Sequence, residues 1–223
     1  MSTIVTLPRD QLRASSAVLA RAFDDDPVFR YLYPTPRRRW WSCRSFLHAI
    51  VRDGLPFGEV WAAVDDGGVI GTAGWLPEGS YPPSRRRAAR QLLSAWQALL
   101  TPHTFRDGLR YLTETEKLHP KAPHWYLAVI GVEPARQGEG LGGKLLSAVL
   151  GRLDATSVPA YLETSTEANV AKPGMPAYLE TSTPGNVAWY RHHGFEVLHE
   201  IRPVADGPPI WTMWREPRGK SVA

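Results

Sequence analysis

Cysteine is nearly absent: Cys43 is the only one in 223 residues. A single thiol forms neither an intrachain disulfide nor a Cys-based zinc site, so a hydrophobic core has to hold the fold, and the usage fits a reducing compartment. No apolar run approaches the ~20 residues that span a bilayer. The start, MSTIVTLPRD, lacks the basic stretch and apolar segment of a secretion signal, and a cytoplasmic location is expected. A dominant charge is missing too, since 26 Lys and Arg face 22 Asp and Glu for a formal +4. The basic clusters Arg37–Arg39 and Arg85–Arg87 sit beside apolar helical periodicity and read as solvated helix faces, not as a phosphate-tracking stripe. Neither nucleic acid nor membrane is expected as a partner. His192 and His193 have no further ligand at metal-binding spacing, so no metal is expected either.

What remains is the balance of an ordinary globular protein, 43% hydrophobic and 22% charged, with no long polar linker. One domain over residues 1–223 is expected, as a monomer or homodimer. Residues 3–7 read as a strand. Apolar positions Leu12, Val18, Leu19, Ala22 and Phe23 mark a helix that Asp24–Asp26 and Pro27 stop, and a second helix covers about Arg37–Arg52. EVWAAV and GVIGTAGWL, on either side of a turn at Asp65–Gly68, form a hairpin. Residues 84–118 are a helical insertion broken near Thr101–Pro102, with Trp96, Phe105 and Tyr111 spaced to pack on the sheet. The run HWYLAVIGV at 124–132 is apolar throughout and predicts a strand buried on both faces. A glycine-rich turn, a helix over about Leu141–Leu153, a strand, a helix near Asn186–His193 and strands around Phe195–Ile201 and Ile210–Trp214 complete the order.

PAYLETST occurs twice, at 159–166 and 176–183, and the match runs on through Asn169-Val170-Ala171 against Asn186-Val187-Ala188. One tandem repeat at a 17-residue offset falls short of the three or more units a solenoid needs, so 159–175 beside 176–192 reads as an insertion within a domain. Copy one continues into Lys172-Pro173-Gly174, which breaks helices, whereas copy two continues into Trp189-Tyr190-Arg191-His192. The core strand is therefore placed at Ala177–Ser182, with 160–165 as the rival.

Gln137-Gly138-Glu139-Gly140-Leu141-Gly142-Gly143-Lys144 joins a strand to a helix. Glycines let the backbone turn tightly and approach a ligand, and the amides at a helix start suit a pyrophosphate. Gly138, Gly140 and Gly143 also satisfy G-x-G-x-x-G. A dinucleotide fold, however, needs a ladder of βαβ units, and here a hairpin and helices precede the turn.

Two further spacings are present: Q/R-x-x-G-x-G/A, met by Gln137, Gly140 and Gly142, and N-x-x-x-Y-x-x-x-G-F, met by Asn186, Tyr190, Gly194 and Phe195. In this element order the chain resembles the GCN5-related N-acetyltransferase superfamily. Within it, AFDDDP, GEVWAAVDDGG, WYLAVIGVEPARQGEGLG, VPAYLETS and GPPIWTMWREP are similar to the puromycin N-acetyltransferases. The resemblance implies an α+β fold of three α/β/α layers, with a mixed, mostly antiparallel twisted sheet whose central parallel strands splay to admit acetyl-CoA. It implies acetyl transfer to a primary amine of a small molecule, an aminonucleoside or another antibiotic among them, by direct attack in a ternary complex, for resistance or self-protection. A protein lysine or N-terminus as acceptor and a non-catalytic acetyl-CoA-binding module are the alternatives.

The resemblance also assigns roles. Backbone groups of Ile130, Gly131 and Val132 face the pantetheine arm, with Gly131 a place for a bulge that parts the strands. Amides of Gln137, Gly138, Glu139, Gly140, Leu141, Gly142, Gly143 and Lys144 hold the pyrophosphate. Tyr190 is the acid for the departing thiolate, and Asn186, one helical turn earlier, reaches the arm from the same face. Glu180 or its duplicate Glu163 is the candidate base. Asp26, with Asp24 and Asp25, suits a cationic amine, while Trp40, Trp41 and Trp75 are candidate walls of an acceptor pocket.

Overall fold

The computed structural model describes residues 2–94, 102–155 and 174–218. Seven strands form one sheet in the order β1-β2-β3-β4-β5-β7-β6. They are β1 (Thr3–Thr6), β2 (Val60–Asp65), β3 (Gly68–Leu76), β4 (Trp125–Val132), β5 (Ala177–Thr181), β6 (Glu196–Ile201) and β7 (Ile210–Arg215). Among the described residues, only β4 and β5 pair in parallel. Helices α1 (Leu12–Ala22) and α3 (Pro36–Gly54) cover one face, where α2 (Pro27–Leu32) and α5 (Pro102–Leu118) extend the layer over β7. Helix α4 (Arg85–Ser94) is tied to α3 by Arg87, whose guanidinium donates to both oxygens of buried Asp53 at 2.7 and 2.6 Å. Helices α6 (Leu141–Ala155) and α7 (Pro184–His192) cover the other face. This is the three-layer, mixed, mostly antiparallel architecture that the sequence implied.

A core lies on each side of the sheet. Trp75, Leu127, Leu145, Leu179, Phe195 and Met213 fill the α6 side, and Leu19, Cys43, Leu47, Val60 and Val129 fill the α1 side. Leu127 and Val129 are two residues apart on one strand and would share a face if the alternation were regular. They do not, because the β3–β4 register shifts between Gly74 and Trp75, so that Ala128 bulges and reverses the alternation. The bulge is therefore at Ala128 and not at Gly131. Gly131 pairs regularly with Thr72, and a Cβ there would lie 2.9 Å from Leu19 Cδ2 and 3.0 Å from Ala22 Cβ. Its missing side chain serves the close approach of α1.

Pairing of β4 with β5 ends at Leu127 and Leu179, after which both strands continue unpaired with each other, β4 to Val132 and β5 to Thr181. A second correction concerns burial: only Leu127, Val129 and Val132 of β4 are buried, and past this fork Ile130 and Gly131 border open space. Helix α5 begins at Pro102, and the expected break near Thr101–Pro102 borders residues 95–101, outside those described; Phe105 is 40% exposed and does not pack on the sheet. Tyr111 does, against Ile210, with its hydroxyl donating to Pro208 O at 2.9 Å. Trp96 lies outside the described residues.

Helix α2 was not anticipated. The same Asp-Pro pair that ends α1 starts it, with Asp26 as N-cap and Pro27 at the first position, a favoured combination. Copy two of the repeat forms β5 and leads into α7, which begins at Pro184 and not at Asn186. Residues 159–173 of copy one, with Glu163 and the rival strand 160–165, lie outside those described. Among the described residues no helix is long and apolar enough to cross a membrane.

Candidate active site

The turn after β4 is built by backbone that only glycine adopts cheaply. Gly138 and Gly140 have φ of +85° and +76°, in the left-handed region. Gln137 Nε2 donates to Val132 O at 3.3 Å and holds the turn to β4. Arg136 anchors its outer side, donating to Asp65 in the β2–β3 hairpin and to Glu139 at 2.6 and 2.9 Å. The amide of Lys144 donates to Gly140 O at 3.1 Å and closes the first turn of α6. The amides of Leu141, Gly142 and Gly143 precede that bond, so the helix gives them no internal partner, and its positive dipole end adds to their pull on an anion. The Lys144 amide is committed to the helix, and neither Glu139 nor Lys144 lines the cleft described next.

That cleft has a volume of about 570 Å³. Ile130, Gly131 and Val132 line it past the fork, together with Gln137, Gly138 and Gly140–Gly143 of the turn and Asn186 and Tyr190 of α7. Asp26 also lines it, with Ala22, Phe23 and Asp25. The sequence thus indicated most of the lining, but it missed Ala22, Phe23, Arg136, Thr183 and Trp189. Trp189 had a signal, because Asn186, Trp189 and Tyr190 follow an i, i+3, i+4 spacing that shares a helix face. Its indole lies 3.1 Å from where a Cβ on Gly142 would sit, so that glycine lets α6 and α7 meet.

Tyr190 is 5% exposed and packs edge-on to Trp189 and Phe195. Burial pushes its phenol well above the ordinary range, so it holds its proton and remains a donor. Asn186 is the third residue of α7 and reaches Thr181 Oγ1 only at 3.5 Å; Thr183 occupies the N-cap. Asp26 accepts from Phe29 N at 2.9 Å and from the Ser182 hydroxyl, which pins the α1–α2 corner to the end of β5. Burial raises its pKa against the lowering pull of those hydrogen bonds.

Glu180 is not in the cleft with Tyr190. Ala177 and Leu179 point into the α6-side core, so the alternation sends Tyr178 and Glu180 to the other face, where the Tyr178 hydroxyl donates to Glu180 Oε1 at 3.0 Å. Glu180 is nonetheless the first β5 residue past the fork. The expected tryptophan walls are elsewhere. Trp75 is fully buried in the α6-side core and touches no open space. Trp40 packs perpendicular to Trp41 under the Arg44 guanidinium, away from the cleft lining. Phe23 and Trp189 are the aromatic walls instead.

The acetyltransferase (GNAT) family model matches residues 18–195. The chain belongs to the GNAT acetyltransferases. As a member it is an acetyl-CoA-dependent N-acetyltransferase. Solved structures agree in fold. A histone acetyltransferase and related acetyltransferase of Corynebacterium glutamicum is 21% identical with a TM-score of 0.61, covering 99% of each chain. Arylalkylamine N-acetyltransferase 2 of Aedes aegypti is 12% identical with a TM-score of 0.62, over 97% of this chain and 99% of that one. The polyamine N-acetyltransferase of Drosophila melanogaster, which forms N-acetylagmatine, is 14% identical with a TM-score of 0.57, over 96% and 99%.

Proposed function

We propose that this GNAT enzyme acetylates a primary amine on a small molecule, an aminonucleoside or another amine antibiotic, in a resistance or self-protecting role. The observation that carries the reading is the lining of the cleft. The first turn of α6, whose amides are free, the Asp26 carboxylate and the β4 residues past the β4–β5 fork all border the same space. Amides suit the anionic end of a nucleotide, and a carboxylate suits a cationic amine. The similarity of five stretches to the puromycin N-acetyltransferases supports the same acceptor class, and two neighbours in fold are named for small amines.

Acetyl-CoA supplies an acetyl thioester open to attack by nitrogen. In this reading the amides of Leu141–Gly143 hold its pyrophosphate, and the edge of β4 beyond Leu127, free of β5, pairs with its amide-bearing arm. Asp26 draws in the amine. Glu180, at the mouth of the fork, takes the N–H proton released as the C–N bond forms, and Tyr190 gives its phenolic proton to sulfur as the C–S bond breaks. The test is thiol release from acetyl-CoA with puromycin, agmatine, spermidine, tyramine and a lysine-containing peptide, beside Tyr190→Phe. At least one small amine should turn over, and Tyr190→Phe should lower kcat on the order of 100-fold with little change in KM for acetyl-CoA. Turnover of the peptide alone would overturn the small-molecule reading, binding of acetyl-CoA without thiol release would leave a non-catalytic module, and an undiminished kcat would remove Tyr190 as the acid.

A further inference from the structure

His119 follows α5 and lays its ring on the sheet face that carries Glu180, stacked on Tyr81 with centroids 3.9 Å apart and edge-on to Tyr126 and Tyr178. The hydrogens on this ring follow from its neighbours. His124 Nδ1 is 2.7 Å from the carbonyl oxygen of Ala122, and a carbonyl only accepts, so Nδ1 carries the proton. Neutral His124 then presents a bare Nε2, which lies 3.1 Å from Nε2 of His119. His119 Nε2 therefore donates, and its Nδ1 is left as a lone pair. That Nδ1 is buried, has no hydrogen-bond partner, and lies 4.0 Å from Glu180 Oε1. The adjacent phenols do not satisfy it, since Tyr81 donates to Glu116 at 3.1 Å and Tyr178 to Glu180 at 3.0 Å.

We propose that His119 is a positioning residue for acetyl transfer, whose Nδ1 takes over the proton that Glu180 removes from the acceptor amine, while His124 fixes the tautomer that keeps Nδ1 bare. The proposal rests on the reading of Glu180 as base. The amine N–H bond breaks as an O–H bond forms on Glu180. A carboxyl rotation of about 1 Å then brings that O–H within hydrogen-bond reach of Nδ1. The O–H bond breaks and an N–H bond forms on His119; once the product has left, the imidazolium returns that proton through the partly exposed Glu180 carboxylate to water, which restores the bare Nδ1 before the next turnover. The gain comes from basicity, since an imidazole is intrinsically a stronger base than a carboxylate. The ionisable groups packed round the ring are Tyr81, Glu116, His124, Tyr126, Tyr178 and Glu180, and Glu78 acts on His124. Burial holds the phenols of Tyr126 and Tyr178 protonated, so they do not compete for the proton.

The test measures kcat and KM against pH for His119→Gln, His124→Gln, His124→Leu and Glu180→Gln. The acceptor is puromycin or whichever of agmatine, spermidine and tyramine turns over fastest. His119→Gln should lose 10- to 100-fold in kcat at pH 7 with KM for acetyl-CoA within two-fold, and the deficit should shrink as pH rises and solvent takes the proton directly. His124→Gln keeps an acceptor facing His119 and should stay within about three-fold of wild type, whereas His124→Leu should be as slow as His119→Gln. Independently of any acceptor, the ¹⁵N spectrum of the intact protein at pH 8 should show His119 protonated at Nε2 only, and a proton on Nδ1 there overturns the proposal. A slow Glu180→Gln beside a full-speed His119→Gln overturns it alone. A full-speed Glu180→Gln overturns it together with the assignment of the base.

Discussion

Gly131→Ala separates packing from strand geometry at the centre of the site. Gly131 is opposite Thr72 in a regular ladder, and the methyl it lacks would point at α1, 2.9 Å from Leu19 Cδ2 and 3.0 Å from Ala22 Cβ. Carbon atoms in good contact sit about 3.5–4.0 Å apart, so the new methyl demands a shift of over half an ångström on both sides. Leu19 is fully buried and has no open space to swing into. The Cβ of Ala22 moves only with the helix backbone. Overpacking of this kind costs about 1–3 kcal/mol, offset by about 0.5–1 kcal/mol for removing a glycine from a strand. The net loss is about 1–2 kcal/mol, or roughly 2–8 °C in Tm for a chain of this size. The same displacement reaches Phe23 and Asp26 on the cleft wall, just beyond the end of α1, so KM for acetyl-CoA should rise as well. Thermal unfolding followed by circular dichroism, with and without acetyl-CoA, reads both effects. A Gly131→Ala protein with wild-type Tm and wild-type KM would refute the close-approach argument.

The ion pair beneath α7 gives a stability prediction with a pH signature. Buried Arg215 donates to both oxygens of Asp154 at 2.8 and 2.7 Å, and although burial alone would raise the Asp154 pKa, Arg215 and the Arg218 amide hold it below the ordinary value. A depressed carboxylate stabilises the fold above its unfolded pKa and loses that contribution as pH falls through the folded one. Asp154→Asn should therefore lower Tm most near neutrality, by a loss of about 2–4 kcal/mol for stranding a buried guanidinium, and the gap to wild type should close below about pH 4. In the cleft, Asp26→Asn should raise KM for a cationic amine on the order of 10-fold while leaving KM for acetyl-CoA within two-fold, as initial-rate kinetics would show; equal KM values for the amine would remove Asp26 from acceptor binding. Deleting residues 159–175 joins Val158 to Pro176, and Met175 N already lies 3.1 Å from Leu153 O at the end of α6. The short connection that results is of ordinary length for a helix-to-strand loop, so the shortened protein should keep its circular dichroism spectrum and its affinity for acetyl-CoA.

The legible parts of the site were those where one residue type answers one physical demand. Positive φ at Gly138 and Gly140 leaves few alternatives to glycine, so the turn and the helix that follows could be placed from spacing alone. Gly131 was not legible in this way, because a strand glycine suits a bulge and a close approach equally. The true bulge at Ala128 left no compositional trace, and the uniform apolar run from Trp125 to Val132 hid the reversal of alternation that it causes. No face of the sheet was assigned to Glu180 from the sequence, although period two fixes it once Leu179 is seen to point into the α6-side core. Its surroundings were not legible, since His119 and Tyr81 arrive from segments distant in the chain. Trp75 misled for a related reason: aromatic character marks a wall or a core alike, and only packing against α6 decides between them.

The repeat shows where local sequence stops being informative. The two copies share PAYLETST letter for letter, so strand propensity and alternation are identical and cannot choose between them. The choice lies in what each copy must connect to. A strand at this position has to pair with β4 on one side and β7 on the other, and copy two does so, with Leu179 opposite Leu127 and Met213. It must then release the chain into a helix that presents Tyr190 to the cleft, and the helix breakers after copy one forbid that continuation. Selection therefore acts through the residues downstream of the repeat. It follows that exchanging Lys172-Pro173-Gly174-Met175 for Trp-Tyr-Arg-His would remove the asymmetry and let both registers compete.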